Sequence, residues 1–175
     1  MTIKKSLRIP IRFHMLQRPR LLTDFVTRAS YSATVEQEED LAKKTAREKL
    51  AAKKEIKKVV MDKAWGGMQP GDTMLVATPL MVDGYIREIP HGETKTIPDM
   101  RADLATRESC SGTCPMSTSI FVRMVADAAL EDIADGKTVS QVSPFWRMIT
   151  SKDKMAAKLN VDPAWIDEQR SLEAS

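Results

Sequence analysis

The side chains best suited to covalent chemistry in this 175-residue sequence are Cys110 and Cys114, which lie four positions apart in the segment CSGTC. Cys114 directly precedes a predicted helix. A helix N-terminus lowers the pKa of a nearby thiol, so Cys114 is a candidate nucleophile for a group-transfer reaction. The same spacing would also allow a redox disulfide between the two cysteines. No histidine or other base that could activate either thiol is close in the sequence.

Other types of catalytic site are not supported by the composition. A structural zinc site needs four ligands, and the only histidines, His14 and His91, are far from the cysteines in the sequence. No Ser-His-Asp set, pair of catalytic carboxylates or Gly-rich phosphate loop can be assembled from the remaining residues. We therefore expect no metal ion and no cofactor.

Polar side chains at the start of one predicted helix are suited to binding nucleic acid. Three consecutive hydroxyl groups there could contact phosphates or bases, or could simply cap the helix. They belong to Ser117, Thr118 and Ser119. Arg123 could bind a phosphate or form an ion pair within the same helix. The carboxylates available for such a pair are those of Asp127, Glu131 and Asp132.

A second basic group, comprising Lys53, Lys54, Lys57 and Lys58, lies earlier in the chain. These lysines could face phosphates, although a run of lysines more often forms a solvated surface. The surrounding residues 36–63 contain no Gly or Pro and are rich in Ala, Lys, Glu and Leu, which predicts one charged helix. Together with a linker, this charged region is expected to span residues 36–73.

A mainly helical domain over residues 74–175 is expected to position these side chains. Its boundary is predicted at the breaker-rich segment WGGMQPGDT, residues 65–73. Helical spacing of apolar residues predicts four helices, over residues 80–90, 98–108, 116–135 and 163–174. In the third helix we expect a buried face, made of Ile120, Phe121, Met124, Val125 and Ala128. Two helices joined by a turn, the second longer and apolar on one face, are typical of a helix-turn-helix.

Residues 1–35 are expected to form a flexible basic arm. The first 34 residues contain seven Lys or Arg and a single acid, Asp24. This composition is also typical of a mitochondrial transit peptide, so organelle targeting is an alternative to the cytoplasmic location that we expect. No run of about 18 apolar residues occurs, so no membrane partner is expected. The net charge of +3 is compatible with nucleic acid but does not argue for it.

The segment TPLMVDGYIREIPHGETKT, residues 78–96, resembles the O6-alkylguanine-DNA alkyltransferase family. In that family a helix ends in Ile-Pro, and a Gly-Glu-Thr turn leads into the DNA-binding helices. About fifty residues later this chain reads PFWRMI, residues 144–149, where the family reads Pro-Cys-His-Arg-Val-Ile. Residues 74–175 also resemble small bacterial proteins labelled as members of this family. These share a Cys-Pro-hydrophobic-Thr/Ser run, here beginning at Cys114, and a Pro-aromatic-Trp-Arg segment.

The resemblance implies a winged helix-turn-helix of the alkyltransferase carboxy-terminal type that binds double-stranded DNA, but the reactive residues differ. Phe145 occupies the position of the alkyl-accepting cysteine, Trp146 that of the neighbouring histidine, and Ile97 that of a phosphate-contacting tyrosine. Arg147 matches an arginine of the family and, like Arg123, could bind a phosphate or form a salt bridge with one of the same three carboxylates. Arg123 is the candidate for the arginine that fills the space of a flipped base. Because phenylalanine cannot accept an alkyl group, the family reaction cannot run at this site.

We therefore expect a non-catalytic, monomeric DNA-binding protein that could recognise alkylated or flipped guanine and recruit a repair protein. An alkyltransferase-like branch that also lacks the cysteine provides the analogy. Phe145 and Trp146 would then form an aromatic wall for a base, or would alternatively fill the core. Two other functions stay open. One is a methyltransferase that uses Cys114, and the other is an interaction module that no longer binds DNA.

Overall fold

The computed structural model describes residues 44–175, which form a mainly helical unit with a small three-stranded sheet. The five α-helices of this part are α1 (Ala46–Ala51), α2 (Pro79–Glu88), α3 (Ile97–Arg107), α4 (Pro115–Ala134) and α5 (Pro163–Glu173). The strands are β1 (Lys57–Val60), β2 (Thr73–Val76) and β3 (Gly112–Thr113). Single 3-10 turns occur at Val139–Gln141, Phe145–Arg147 and Ala156–Lys158.

Local capping signals define where the longer helices begin. The Thr78 hydroxyl accepts a hydrogen bond from the Met81 amide at the start of α2. Thr96 and Asp99 form a reciprocal capping box at the start of α3. Proline is the first residue of α2, α4 and α5, where the missing N–H costs nothing because that amide has no helical partner. The four helices predicted from the sequence are confirmed, with ends that differ by one or two residues.

The prediction of one helix over residues 36–63 is wrong within the described residues. Helix α1 ends at Ala51, and β1 follows as the edge strand of the sheet. β1 pairs antiparallel with β2, with Lys57 opposite Val76 and Val60 opposite Thr73. Non-local pairing and β-branched Val59 and Val60 outweigh the helix propensity of the surrounding lysines. Residues before 44, including the predicted basic arm, lie outside the described residues.

The segment 65–73, predicted as a domain boundary, belongs to the connection between β1 and β2. This hairpin is part of the same compact unit as the helices, which extends from Lys43 to Ser175. β2 also pairs in parallel with β3, through Met74 with Gly112 and Leu75 with Thr113. Because β3 lies in the connection between α3 and α4, the sheet ties the hairpin to that connection.

The core lies between α2, α3, α4, α5 and the 3-10 turn at Phe145–Arg147. Its largest fully buried side chains are Phe145, Leu75, Ile86, Met100, Leu104, Ile149 and Ile166. The ring of Phe145 packs edge-on against Trp146, with centroids 5.5 Å apart, and both contact Trp165. No helix within residues 44–175 is both long and apolar enough to cross a lipid bilayer.

The short helix α1 is attached to α4 by polar contacts, and its partly buried Leu50 packs against the core. The Glu131 carboxylate accepts hydrogen bonds from the Ala46 and Arg47 amides, at 2.8 and 3.0 Å. The Arg47 guanidinium pairs with Asp132 at 3.1 Å and also with Asp135. A carboxylate at a helix N-terminus is favourable because it satisfies free amides and complements the helix dipole. These contacts hold the chain that leads into β1 against α4.

Candidate nucleic-acid interface

The three hydroxyl groups at the start of α4 bond to the backbone of their own helix. Thr118 is fully buried, and its hydroxyl donates to the Cys114 carbonyl at 2.7 Å. Ser117 donates to the same carbonyl at 3.4 Å, and Ser119 donates to the Pro115 carbonyl at 2.9 Å. None of them caps the helix, because the N-cap position is Cys114, which makes no side-chain cap bond. Ser117 and Ser119 remain partly exposed, so their oxygens can still accept a hydrogen bond.

The outward face of the first turns of α4 is apolar as well as polar. Met116 is 63% exposed and Ile120 is 54% exposed, one helical turn apart. The prediction that Ile120 is buried is therefore wrong, whereas Phe121 and Val125 do lie in the core. Apolar residues occur on more than one side of this helix, so its periodicity alone does not specify which of them is left outside the core.

Arg123 follows on the same exposed side of α4. Its Nε lies 3.4 Å from the Asp127 carboxylate, and its Nη2 donates to the Lys158 carbonyl at 3.3 Å. Asp127 is one of the three partners considered from the sequence. Burial raises the pKa of Asp127, and the nearby Arg123 guanidinium offsets part of that rise. Because the Arg123 side chain is 45% exposed, its ion pair competes with water and can be exchanged for a phosphate.

The lysines of residues 53–58 lie beside α4 and beside the connection that precedes it. The Lys54 ammonium lies 5.2 Å from the centroid of the Phe121 ring of α4. The Lys58 ammonium pairs with the Glu108 carboxylate at 3.2 Å, at the end of α3. All four lysines are exposed. Two segments that were singled out separately in the sequence, about sixty residues apart, are thus neighbours in the fold.

A tight turn at Trp65–Met68 extends this surface. The amide of each of these two residues donates to the carbonyl of the other at 3.0 Å, and Gly66 and Gly67 between them have φ of +64° and +89°. Two positive φ values are those of a type I′ turn, which strongly favours glycine at both positions. Met68 is buried, whereas Trp65 is 42% exposed. The sequence analysis treated WGGM only as a breaker segment, so Trp65 was missed.

The two residues that the resemblance places at the reactive positions, Phe145 and Trp146, are buried. Phe145 has no exposed surface, so its ring cannot reach a base in this conformation, and Trp146 is only 2% exposed. The Trp146 indole N–H donates to Glu173 at 2.7 Å. Trp146 also borders an open cleft of about 500 Å³, whose lining includes His91, Arg147 and Glu173.

Arg147 forms a buried ion pair with Glu173, a residue that the sequence analysis did not single out. Its Nε and Nη2 donate to the Glu173 carboxylate at 2.7 and 2.9 Å, and its Nη1 donates to the Ile89 carbonyl at 2.5 Å. Burial raises the pKa of Glu173, but the bonds from Arg147 and Trp146 outweigh this effect and hold the pKa below its ordinary value. Arg147 was considered as a phosphate ligand, and in this structure three of its five N–H donors are already used within the protein.

Both cysteines are free thiols. Cys114 is 9% exposed, and its amide donates to the Leu75 carbonyl of β2. The Cys110 thiol is partly buried and lies 3.5 Å from the Glu108 carbonyl. Within residues 44–175 no cluster of three or more His, Cys, Asp or Glu side chains is arranged to hold a metal ion. The chain matches no protein-family model, no curated protein and no solved structure.

Proposed function

We propose that this chain is a non-catalytic DNA-binding protein related to the alkyltransferase family. In this proposal α3, the following connection and α4 act as a helix-turn-helix, and the β1–β2 hairpin acts as its wing. The observation that carries the proposal is that the lysine-bearing segment contacts both helices, with Lys54 on Phe121 of α4 and Lys58 on Glu108 at the end of α3. Helix-turn-helix proteins place the start of the second helix against the DNA, where flanking basic residues reach the phosphates.

The distribution of charge supports this placement. Residues 44–175 contain 19 Lys and Arg and 19 Asp and Glu, so this part of the chain has no net charge. Residues 53–63 alone contain five lysines against Glu55 and Asp62. Among the described residues, no carboxylate forms an ion pair with Lys53 or Lys57. Attraction to phosphates would therefore be local to the hairpin rather than a property of the whole surface.

Burial of the candidate reactive groups supports a non-catalytic role. A phenyl ring fills the core at the family's acceptor position, so that position offers no nucleophile. Cys114, the other candidate acceptor, is nine-tenths buried beneath the start of α4. A thiol acts as a nucleophile only when its thiolate can form and can be reached by the substrate.

Salt-dependent binding to a fluorescent DNA duplex tests the proposal. Affinity should fall as salt rises, because each neutralised phosphate contributes a slope of about −0.9 in log K against log salt. Replacing Lys53, Lys54 and Lys57 together by glutamine should make that slope shallower by about 2 to 3. The matched control replaces Lys152 and Lys154, which are exposed elsewhere, and should leave the slope unchanged. Absence of binding at low salt, or equal effects of both variants, would overturn the proposal.

Alkyl transfer is tested separately with an O6-methylguanine duplex and intact-mass spectrometry. We expect no methyl adduct on Cys110 or Cys114 under native conditions. Alkylation of both thiols by iodoacetamide after unfolding provides the control that each is chemically competent. A native adduct on either cysteine would assign the methyltransferase function instead. The same duplex, compared with its unmodified form in the binding assay, tests whether the lesion is preferred.

An interaction module is the second candidate function, and the edge strand β1 favours it. Ile56, Val59 and Val60 are 41%, 42% and 69% exposed, and an edge strand offers unpaired backbone groups to another strand. Sedimentation analysis with and without DNA separates the two functions. Self-association that persists in the lysine variant without any DNA binding would favour the interaction module.

A further inference from the structure

We propose that the turn at Trp65–Met68 presents Trp65 as a stacking platform for an unpaired base, next to the duplex-binding surface. This inference rests on the proposed DNA binding and adds to it a class of substrate, a duplex that adjoins a single-stranded segment. Three independent features of the hairpin support it. They are the fixed geometry of the turn, its position at the start of α4, and the lysines that precede it in the hairpin.

The turn that carries Trp65 is anchored by the buried side chain of Met68. Met68 is 4% exposed, and a Cβ added to Gly112 would lie only 2.9 Å from its sulfur, so the Met68 side chain is packed closely against the β3 backbone. The two backbone hydrogen bonds between Trp65 and Met68 fix the backbone of Trp65 relative to the buried Met68. The backbone that carries Trp65 is therefore fixed while 42% of the residue stays exposed, so little backbone entropy is lost when a ligand covers it.

The turn also lies at the start of α4. A Cβ on Gly66 would be 3.3 Å from the Pro115 ring, so the backbone next to Trp65 touches the first residue of this helix. Met116 follows Pro115 and is 63% exposed. Trp65 therefore belongs to the same end of the molecule as the proposed duplex contacts. The other two tryptophans pack together in the cluster around Phe145, far along the chain from the hairpin.

The ligand chemistry follows from an exposed aromatic residue on a hairpin whose first strand and connection carry lysines. Lys63 precedes Trp65 by two residues, and the lysines of β1 lead into the same hairpin. Indole stacks on the face of any base, whereas nearby ammonium groups hold the phosphates of the strand. In an intact duplex both faces of each base are covered by neighbouring bases. Trp65 can therefore stack only where a base is unpaired, which points to a junction between duplex and single strand.

The test compares a plain duplex with the same duplex carrying a short single-stranded overhang, by fluorescence anisotropy at fixed salt. Wild-type protein should bind the overhang substrate about 5- to 150-fold more tightly, which is the range supported by stacking of one base on an aromatic side chain. In Trp65→Ala the ratio of the two affinities should fall close to one. Trp65→Phe, which keeps an aromatic face, should retain an intermediate ratio. Leu172→Ala, at an even more exposed apolar residue of α5, should behave as wild type.

The outcomes separate this inference from the proposed function. An unchanged ratio in Trp65→Ala, with its circular dichroism and melting temperature intact, would overturn the inference and leave duplex binding standing. Binding to single strands that depends on Trp65, without duplex binding, would sink the proposed function and keep the stacking site. A Trp65-dependent blue shift of emission with anionic phospholipid vesicles, in the absence of nucleic-acid binding, would assign the surface to a membrane and overturn both.

Discussion

Replacing Glu173 by alanine removes the carboxylate that joins α5 to two distant parts of the chain. This carboxylate accepts hydrogen bonds from Trp146 and Arg147 at 2.7–2.9 Å and from the Gly92 amide at 3.4 Å. The side chains of Arg147 and Glu173 are only 13% and 12% exposed. Without the carboxylate, the Arg147 guanidinium would stay in a largely buried position with only the Ile89 carbonyl as an acceptor.

The expected loss follows from that unpaired cation. Removing one partner of a buried ion pair costs about 3–5 kcal/mol, and the residual hydration of these side chains places Glu173→Ala near the lower end, at about 3 kcal/mol. For a unit of this size such a loss corresponds to a fall in Tm of about 10 °C. Glu173→Gln keeps an oxygen acceptor for Trp146 but loses the charge, so it should cost roughly half as much. Glu168→Ala, at an exposed residue of the same helix, should cost less than about 0.5 kcal/mol.

Urea unfolding followed by circular dichroism at several pH values measures these differences. The pKa of Glu173 is lowered in the folded state, so the contribution of its carboxylate to the free energy of unfolding is complete above the unfolded pKa of about 4.3. That contribution is lost as the pH falls through the lower, folded pKa. The difference in the free energy of unfolding between wild type and Glu173→Gln should therefore become smaller as the pH falls from about 5 to about 3. A loss below 1 kcal/mol in Glu173→Ala, or a difference that does not depend on pH, would refute this account.

Three further predictions concern stability. Gly92→Ala should destabilise more than Gly71→Ala in the same unfolding assay. Both glycines have positive φ, so both substitutions strain the backbone. A Cβ on Gly92 would in addition lie 2.9 Å from the Glu173 carbonyl, whereas one on Gly71 would meet nothing within 4 Å. Equal losses of stability in the two variants would contradict this difference in packing. Phe145→Ala should cost about 4 kcal/mol by leaving a cavity in the core, and a loss under 1 kcal/mol would mean that the ring is not buried. Burial of the side chain, and secondly the hydrogen bond that its hydroxyl donates to Asp103, raise the pKa of Tyr85 above its ordinary value. The protonated hydroxyl therefore contributes its full share of the folding stability below about pH 10, and this share is lost as the pH rises above 10. Wild-type stability should therefore fall more steeply than that of Tyr85→Phe as the pH rises past 10, and parallel curves would contradict the bond.

The ends of the helices could be predicted from the sequence because they depend on neighbouring residues. The Thr96–Asp99 capping box and Pro115 act within one turn of the helices that they begin. Residues 78–96 and 144–149 resemble a known family. From this resemblance we predicted that the alkyl-transfer reaction is lost, because Phe145 stands at the position of the acceptor cysteine.

The strand β1 could not be predicted because its stability comes from a partner outside its own segment. Residues 57–60 continue a lysine-rich stretch with helix-forming composition, and only pairing with Thr73–Val76 makes them a strand. The exposure of Ile120 has a similar origin. The packing of α4 against its neighbours buries Phe121 and Val122 and leaves Ile120 on the outer side. A periodic pattern shows that a helix is amphipathic but does not specify which of several apolar faces will be covered.

By itself, the sequence determined the positions of four helices, the turns that separate them and the absence of a cysteine at residue 145. These depend on capping, on proline and glycine geometry and on residue identity, all of which act locally. Only the tertiary structure decided that the lysines of residues 53–58 lie beside α4, that Trp65 is exposed on an anchored turn, and that Arg147 is paired with Glu173. Each of these contacts joins residues distant in sequence, because it depends on how the elements pack together rather than on the local propensities of the chain.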